Sequence, residues 1–165
     1  MPQNYVTSGV QTFTRPNDAT QYAAGDLVAN DTTAGSVTAL TWVIPGGTKG
    51  VAKIVQVTMS KSDGADVTGA TFRVHFFNVT PLAPANGDNG AFSPVVTSMA
   101  ASAYLGHSGT ITHVLGGDSA GHANPALPLT GLTSDTVYGL IEVTGTYTPA
   151  AQETFSVQFV AEITY

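Results

Sequence analysis

The C-terminal stretch of the chain alternates apolar and polar residues, and this pattern constrains the fold more than any other feature. Its apolar positions are Phe155, Val157, Phe159, Ala161 and Ile163. A period of two places alternate side chains on opposite faces of an extended strand, so we predict a β-strand with one buried face. Elsewhere the polar positions are mostly Thr, Ser, Asn and Gly, and only 10% of the residues are charged. These residue types are poor in helix interiors and favour strands and turns, so an all-β chain is predicted.

A second alternating run, residues 137–143, precedes the C-terminal strand. The segment between them, residues 145–153, contains Pro149 and is predicted to reverse the chain, so that the two strands form a long antiparallel hairpin. Further strands are predicted for residues 11–14, 26–29, 38–44, 51–61, 70–78 and 109–115, each bounded by turn-forming residues. The sequence therefore predicts about eight strands.

Alternation also predicts which side chains face the core. In the strand at 70–78 the inward positions are Ala70, Phe72, Val74 and Phe76, while Arg73 and His75 point outward. The aromatic residues predicted inside are Trp42, Phe72, Phe76, Tyr138, Phe155 and Phe159. Two facing sheets bury such residues most simply, and we expect an antiparallel β-sandwich resembling a jelly roll.

Three segments depart from the strand pattern. Residues 1–24 begin with a polar, aperiodic run and are predicted to be an extended N-terminal arm, followed by a single sandwich domain over residues 25–165. Residues 80–104 are rich in Pro, Asn and Gly and are predicted to be a long insertion loop, with a short helix within 95–105. Residues 116–128 are predicted to be a second irregular connection.

Charge and composition exclude several functional classes. The 165 residues carry a net charge of −6, so the chain lacks the basic surface that binds nucleic-acid phosphates, and no direct nucleic-acid partner is expected. No apolar run is long enough to span a membrane, and the first residues lack the basic and apolar regions of a signal peptide, so we expect a protein made in the cytosol. There is no cysteine. No cofactor is predicted.

Metal sites find little support in the sequence. The four histidines are His75, His107, His113 and His122, and none has the spacing that places two zinc ligands on one helix face. Oxygen ligands for calcium could come from Asp63, Asp66, Asn86, Asp88 and Asn89, but the EF-hand spacing is absent and turn formation explains these residues more simply. We therefore predict no metal ligand.

Catalytic residues are not predicted either. Glycosidases need two carboxylates at a fixed separation, and in the predicted hairpin Glu142 and Glu162 would lie near one another, with Glu153 in the connection. A surface location explains these glutamates more simply. The nearest match to a serine nucleophile is His107-Ser108-Gly109, which we interpret as a loop.

Two ligand-binding interpretations are also weaker than structural ones. The segment Pro45–Gly50 lacks the spacing of a phosphate-binding loop and is interpreted as a turn. Trp42 could stack on a sugar ring, but Leu40 and Ile44 share its parity, so we expect it in the core. A chain of low charge with many hydroxyl groups loses little hydration free energy when it associates, so binding to another protein is the class we favour.

Several runs of the sequence resemble a known family. These are residues 12–29 (TFTRPNDATQYAAGDLVA), Asp88–Phe92, Tyr104–Gly106 and Phe155–Tyr165. They resemble small virion proteins of tailed bacteriophages, the head decoration or cement proteins. The resemblance implies a jelly-roll-like body on the outer surface of the capsid, bound to the major capsid protein across subunit boundaries, often as a homotrimer. It implies no catalytic or metal-binding residue.

Two other functions are weighed against this one. A tail or receptor-binding module would recognise host surface glycans, and an enzyme such as a glycan hydrolase would depend on Glu142 and Glu162. If the chain is a decoration protein, we expect the arm over residues 1–24 to clamp the neighbouring shell, because many weak contacts repeated by symmetry give avidity.

Overall fold

The computed structural model describes residues 4–44, 51–63, 67–81, 87–92, 103–114, 119–132 and 134–164. Within these ranges the chain forms strands joined by turns, with one 3-10 turn at Ala34–Ser36. The strands are β1 (Asn4–Thr7), β2 (Gln11–Thr14), β3 (Leu27–Val28), β4 (Leu40–Val43), β5 (Val51–Lys61), β6 (Thr71–Phe77), β7 (Tyr104–His107), β8 (Ile111–Thr112), β9 (Ser119–Ala123), β10 (Leu127–Leu129), β11 (Thr136–Val143) and β12 (Thr154–Thr164).

The strands form two antiparallel sheets, each four rows wide. In the first sheet β1 and β2 lie end to end beside β12, which pairs with β5, and β5 pairs with β9 and β10. In the second sheet β3 and β4 lie beside β11, which pairs with β6, and β6 pairs with β7 and β8. Numbered along the chain, the rows run 1-8-3-6 in one sheet and 2-7-4-5 in the other. This interleaving is the double Greek key of a jelly roll, so the predicted fold is confirmed.

The core lies between the inner faces of the two sheets. The inward residues of β12 are Phe155, Val157, Phe159, Ala161 and Ile163, all buried as the alternation predicts. The predicted inward residues of β6 are buried as well, and Trp42 packs against Phe76 and Phe159. Burying an aromatic or aliphatic side chain of this size contributes about 1.5–3 kcal/mol, so these rows hold the sandwich together without disulfides. Tyr138 is the one misplaced aromatic, because it packs on the outer side of the second sheet.

The predicted hairpin between β11 and β12 is wrong. β11 belongs to the second sheet and β12 to the first, and the segment between them carries the chain across the sandwich. Tyr147 fixes this crossing, because Tyr22 and Tyr147 form a backbone bridge in which the Tyr22 N–H donates to the Tyr147 carbonyl at 2.8 Å. Alternation shows that each strand has a buried face, but the pattern is the same whether the two strands pair or face one another.

The described part of the predicted N-terminal arm is built into the sandwich. Residues 4–7 and 11–14 are edge strands on β12, and the Ser8 N–H donates to the Phe159 carbonyl at 2.8 Å. Arg15 and Tyr22, further along the same segment, are buried. A segment that is polar and aperiodic in sequence thus forms one edge of the first sheet, because the long C-terminal strand supplies its hydrogen-bond partners.

The predicted irregular connection at 116–128 contains two strands instead. β9 has the sequence SAGHA and carries no strong strand former, so its pairing with β5 is dictated by tertiary structure. Gly121 is needed there, because a Cβ at this position would lie 2.5 Å from the Thr112 carbonyl oxygen. Of the helix predicted within 95–105, Tyr104 and Leu105 belong to β7, and residues 95–102 lie outside the described residues.

Candidate binding face

The outer face of the first sheet presents a broad surface that we call the open face. It is formed by the outward side chains of Tyr5, Thr7, Thr12, Thr14, Lys53, Gln56, Thr58, Ser60, Ser62, His122, Thr154, Ser156, Gln158, Val160 and Glu162. Eight of these fifteen residues are Thr or Ser. Polar residues alternate with core residues on each long strand, so the same pattern that builds the core also builds this face.

Hydroxyl groups of neighbouring strands are linked across the open face. The hydroxyls of Thr12 and Ser156 lie 2.8 Å apart, and those of Thr14 and Thr154 lie 3.3 Å apart. The Thr154 N–H also donates to the Ser62 hydroxyl at 3.0 Å. Short side chains held in this way lose little conformational freedom when a partner binds, which lowers the entropic cost of association.

The open face carries almost no net charge. Lys53 and Glu162 form an ion pair with their charged atoms 2.7 Å apart, and this hydrogen bond raises the pKa of Lys53. Because the two charges cancel, the face has neither the acidic character of the whole chain nor a basic patch. Tyr5 stands beside this pair with 62% of its surface exposed. Low charge and an exposed aromatic residue are two features that protein interfaces share.

The size of the open face matches that of a protein interface. β5 and β12 have eleven residues each, so the face is about 35 Å long and, at four rows, about 19 Å wide. Its area is on the order of 700 Å², close to the roughly 800 Å² that each partner buries in a standard interface. The face is therefore large enough to hold one partner specifically.

The outer face of the second sheet is different, and we call it the covered face. It carries a second apolar cluster of Leu27, Ala29, Phe77, Phe92 and Leu140, with Tyr104 and Tyr138 packed against it. Residues 87–92 run along the edge of β3, where the Leu27 N–H donates to the Gly90 carbonyl at 2.8 Å and the Phe92 N–H to the Gly25 carbonyl at 2.7 Å. The described part of the predicted insertion loop thus packs on the molecule itself.

Several titratable side chains meet on the covered face. His75 lies under Phe92, with ring centroids 4.4 Å apart, and its Nε2 is 2.9 Å from Glu142 Oε2. Its Nδ1 is 3.0 Å from the Tyr104 hydroxyl. An ionised carboxylate only accepts, so Nε2 carries a proton, and in the neutral imidazole Nδ1 accepts from the Tyr104 hydroxyl. Arg73 also contacts Glu142 at 3.4 Å. Both ring nitrogens are used within the cluster, which leaves neither for a substrate.

Three pKa shifts follow from this packing. The hydrogen bond from His75 lowers the pKa of Glu142, and burial raises the pKa of the Tyr104 phenol. Burial together with the neighbouring His75 and Arg73 lowers the pKa of His107, whose ring lies 5.7 Å from that of His75. A raised pKa keeps the Tyr104 phenol protonated, so its hydroxyl can donate to His75 within the cluster.

A buried group of polar side chains, which we call the polar stack, occupies one end of the sandwich. Its members are Arg15, Tyr22, Lys61, Asp88, Tyr147 and Glu153. Two ion pairs with fully buried side chains, Arg15–Asp88 at 2.8 Å and Lys61–Glu153 at 3.0 Å, flank the rings of Tyr22 and Tyr147, which stack with centroids 6.3 Å apart. Arg15 also donates to the Tyr22 hydroxyl, and the Tyr147 hydroxyl donates to Glu153.

Asp88 joins three segments through the polar stack. It accepts from Arg15, from the Tyr22 hydroxyl at 2.6 Å and from the Ala29 N–H at 2.7 Å. Burial raises the pKa of Asp88, and these hydrogen bonds oppose that effect. Burial also raises the pKa values of both tyrosines. The oxygens of Asp88 are occupied by protein donors, so this residue is a structural anchor and not the calcium ligand considered from sequence.

The structure separates the three glutamates that sequence analysis weighed as catalytic. Glu142 lies on the covered face, Glu162 on the open face and Glu153 in the polar stack. Glu142 and Glu162 therefore lie on opposite outer faces of the sandwich, and the pairing expected from a hairpin is wrong.

The other candidate residues are also dispersed. Trp42 is 1% exposed and belongs to the core, as predicted. His113 is buried against Phe72, whereas His122 is exposed on the open face. Asp66, Asn86 and the segment 45–50 lie outside the described residues. In the part of the chain that the structure describes, no group of three His, Asp or Glu side chains is placed to hold a metal ion.

Ser108 lies in a turn after β7. Its hydroxyl accepts from the Val74 N–H at 3.0 Å and donates to the Gly109 carbonyl at 2.7 Å, and the Gly109 N–H donates to His107 Nδ1 at 2.9 Å. The serine is buried, and its hydroxyl is engaged by the backbone rather than by the histidine.

Sequence analysis missed the polar stack. Arg15 and Asp88 are 73 residues apart, and Lys61 and Glu153 are 92 apart, so no local motif relates them. The available signal was scarcity, because the chain has only five basic residues and two of them are Arg15 and Lys61.

A scan against models of protein families, a search of curated proteins and a search of solved structures each found no match to this chain. Among the described residues, no helix has the length and apolar character needed to cross a membrane.

Proposed function

We propose that this chain is a structural binding protein that decorates and stabilises the outer surface of a tailed-phage capsid by binding the major capsid protein. It acts without catalysis, and it binds across subunit boundaries as a homotrimer. The observation that carries the proposal is the open face, a neutral surface of interface size, whereas the opposite face is covered in part by its own chain.

The chemistry of the open face favours a protein partner. A neutral face with linked hydroxyls pairs with backbone and amide groups without the desolvation cost of unpaired charges. A shell offers the same partner surface many times, so a modest affinity at each copy suffices when the subunits are joined in an oligomer.

The runs that resemble decoration proteins meet within one structural unit. Arg15 and Tyr22 lie in residues 12–29, and both contact Asp88 in residues 88–92. Residues that resemble decoration proteins are therefore residues that hold the edge of the sandwich in place. This supports membership of a family whose members share a fold rather than a reactive site.

Rebinding to particles tests the proposal. Purified chain is added to heads of the phage that encodes it, prepared without the protein, and bound protein is measured by co-sedimentation. We expect saturable binding at a fixed ratio to the capsid protein. Binding should persist at about 0.5 M NaCl, since a neutral face depends little on screened charges. Absence of binding, or loss of it in this salt, would contradict the proposal.

A glycan-binding module is the second candidate function, favoured by the exposed Tyr5 beside a polar ion pair. Aromatic rings with one polar end are suited to stacking on sugars. A glycan array separates the two functions. If the native chain binds a specific glycan, loses that binding in Tyr5→Ala and does not bind heads, the glycan-binding function is favoured and the capsid proposal is wrong.

A further inference from the structure

The edge of the first sheet formed by β1 and β2 has unpaired backbone groups. Among the described residues both strands pair only with β12. The Ser8 N–H donates to Phe159 of β12 and the Arg15 N–H to Glu153, the residue before β12. Alternation therefore directs the N–H and C=O groups of Tyr5, Thr7, Thr12 and Thr14 away from the sheet. This edge is a template on which another strand could pair.

The edge consists of two four-residue strands and carries none of the charges or prolines that block strand addition at many edges. Residues 4–14 contain no charged residue and no proline. The opposite edge of the first sheet, formed by β9 and β10, does have such features. β10 contains Pro128, and a bridge between Val114 and Ala120 links β9 to the second sheet. Natural proteins protect exposed edges with charges, prolines or covering segments, so an unprotected edge indicates an interaction site.

The core is also incomplete beside this edge. Val6 and Phe13 pack against the core from β1 and β2 but are only partly buried, and Phe13 stacks on Phe155 with centroids 5.7 Å apart. A small cavity lined by Phe13, Val28 and Leu40 opens beside the gap between β3 and β4. An added strand with apolar side chains at alternate positions would cover Val6 and Phe13.

We propose that the β1–β2 edge binds an extended segment of the shell protein by strand addition, with alternate apolar residues of that segment facing Val6 and Phe13. The inference rests on the proposed function. It adds main-chain pairing at the β1–β2 edge to the side-chain contacts of the open face. A second copy of this chain is a poorer occupant, because antiparallel pairing of this edge with itself has two-fold symmetry and does not build the proposed homotrimer. Strand addition supplies affinity through main-chain hydrogen bonds and specificity through alternate side chains.

Two substitutions at one residue test the edge. Thr12→Pro and Thr12→Val both remove the hydroxyl that contacts Ser156, but only proline removes the outward N–H. We expect both variants to fold, since the Thr12 N–H does not pair with β12, and we expect Thr12→Pro to bind heads at least tenfold more weakly than Thr12→Val. Thr7→Pro and Thr7→Val form an equivalent pair if Thr12→Pro does not fold.

The outcomes separate this inference from the proposed function. Equal binding of the Pro and Val variants to heads would contradict strand addition but not capsid binding. Failure of the native chain to bind heads would contradict both proposals. Analytical ultracentrifugation tests whether a second copy of the chain binds the edge instead. If the proline substitution alters self-association and leaves binding to heads unchanged, the edge pairs with a second copy and the inference is wrong.

Discussion

The two outer faces of this sandwich use polar residues in opposite ways. On the open face, Thr and Ser side chains lie on the surface around one ion pair, Lys53–Glu162. On the covered face, His75 and Glu142 pair beneath Phe92 and beside Tyr104, next to an apolar cluster. Polar groups on the covered face hold the chain to itself, whereas those of the open face are presented to solvent. The difference indicates which face is available to a partner.

Removal of the Asp88 side chain should have the largest effect, because it anchors the segment that borders the covered face. Asp88→Ala leaves the buried Arg15 guanidinium with the longer ion pair to Asp18 at 3.4 Å, so the loss should reach at most the roughly 3–5 kcal/mol of a fully broken buried pair. Urea unfolding followed by circular dichroism measures the loss. Asp88→Asn keeps the shape of the side chain and should lose less stability than Asp88→Ala. Equal stability of Asp88→Ala and the native chain would contradict the anchor role.

Glu142 should contribute a smaller, pH-dependent stability to the covered face. Its pKa is lowered in the folded state, so its contribution is fully present above the unfolded pKa of about 4.3 and is lost as the pH falls through the folded pKa. Glu142→Gln should therefore lose about 1–2 kcal/mol at pH 7, the range of a charge-assisted hydrogen bond that is partly solvated.

The pH series supplies the control for Glu142. Unfolding free energies of the native chain and Glu142→Gln are compared at pH 7 and at about pH 3, and the difference should shrink at the lower pH. Glu162→Gln on the open face is the matched variant. A difference for Glu142→Gln that is the same at both pH values would show that ionisation of Glu142 does not stabilise the fold.

Much of the fold follows from alternation because burial of one face is a local property of a strand. The inward residues of β12 and β6 could be predicted in this way. The sheet to which each strand belongs could not, and β11 and β12 were therefore paired wrongly. In β5 a register shift against β12 inserts Val55 between the inward positions Ile54 and Val57. Such a bulge changes the parity of the strand and has no clear sequence signal.

The candidate site was less predictable than the fold. The hydroxyl residues of the open face are visible in the sequence as the polar positions of strands, but their neutrality depends on which strands adjoin. Lys53 and Glu162 meet only because β5 and β12 pair in one register. The polar stack depends on the same tertiary pairing, so neither Arg15–Asp88 nor Lys61–Glu153 could be inferred from spacing.

The central claim, that the open face contacts the shell, is tested most directly by a matched pair of charge insertions. Thr58 lies in the middle of β5 on the open face and Thr41 on β4 of the second sheet, and both are exposed strand residues. Arginine at either position should change stability by less than about 0.5 kcal/mol, as is usual for surface sites. We predict that Thr58→Arg loses at least tenfold in binding to heads while Thr41→Arg binds like the native chain. Native binding by Thr58→Arg, or an equal loss in both variants, would contradict the assignment of the face.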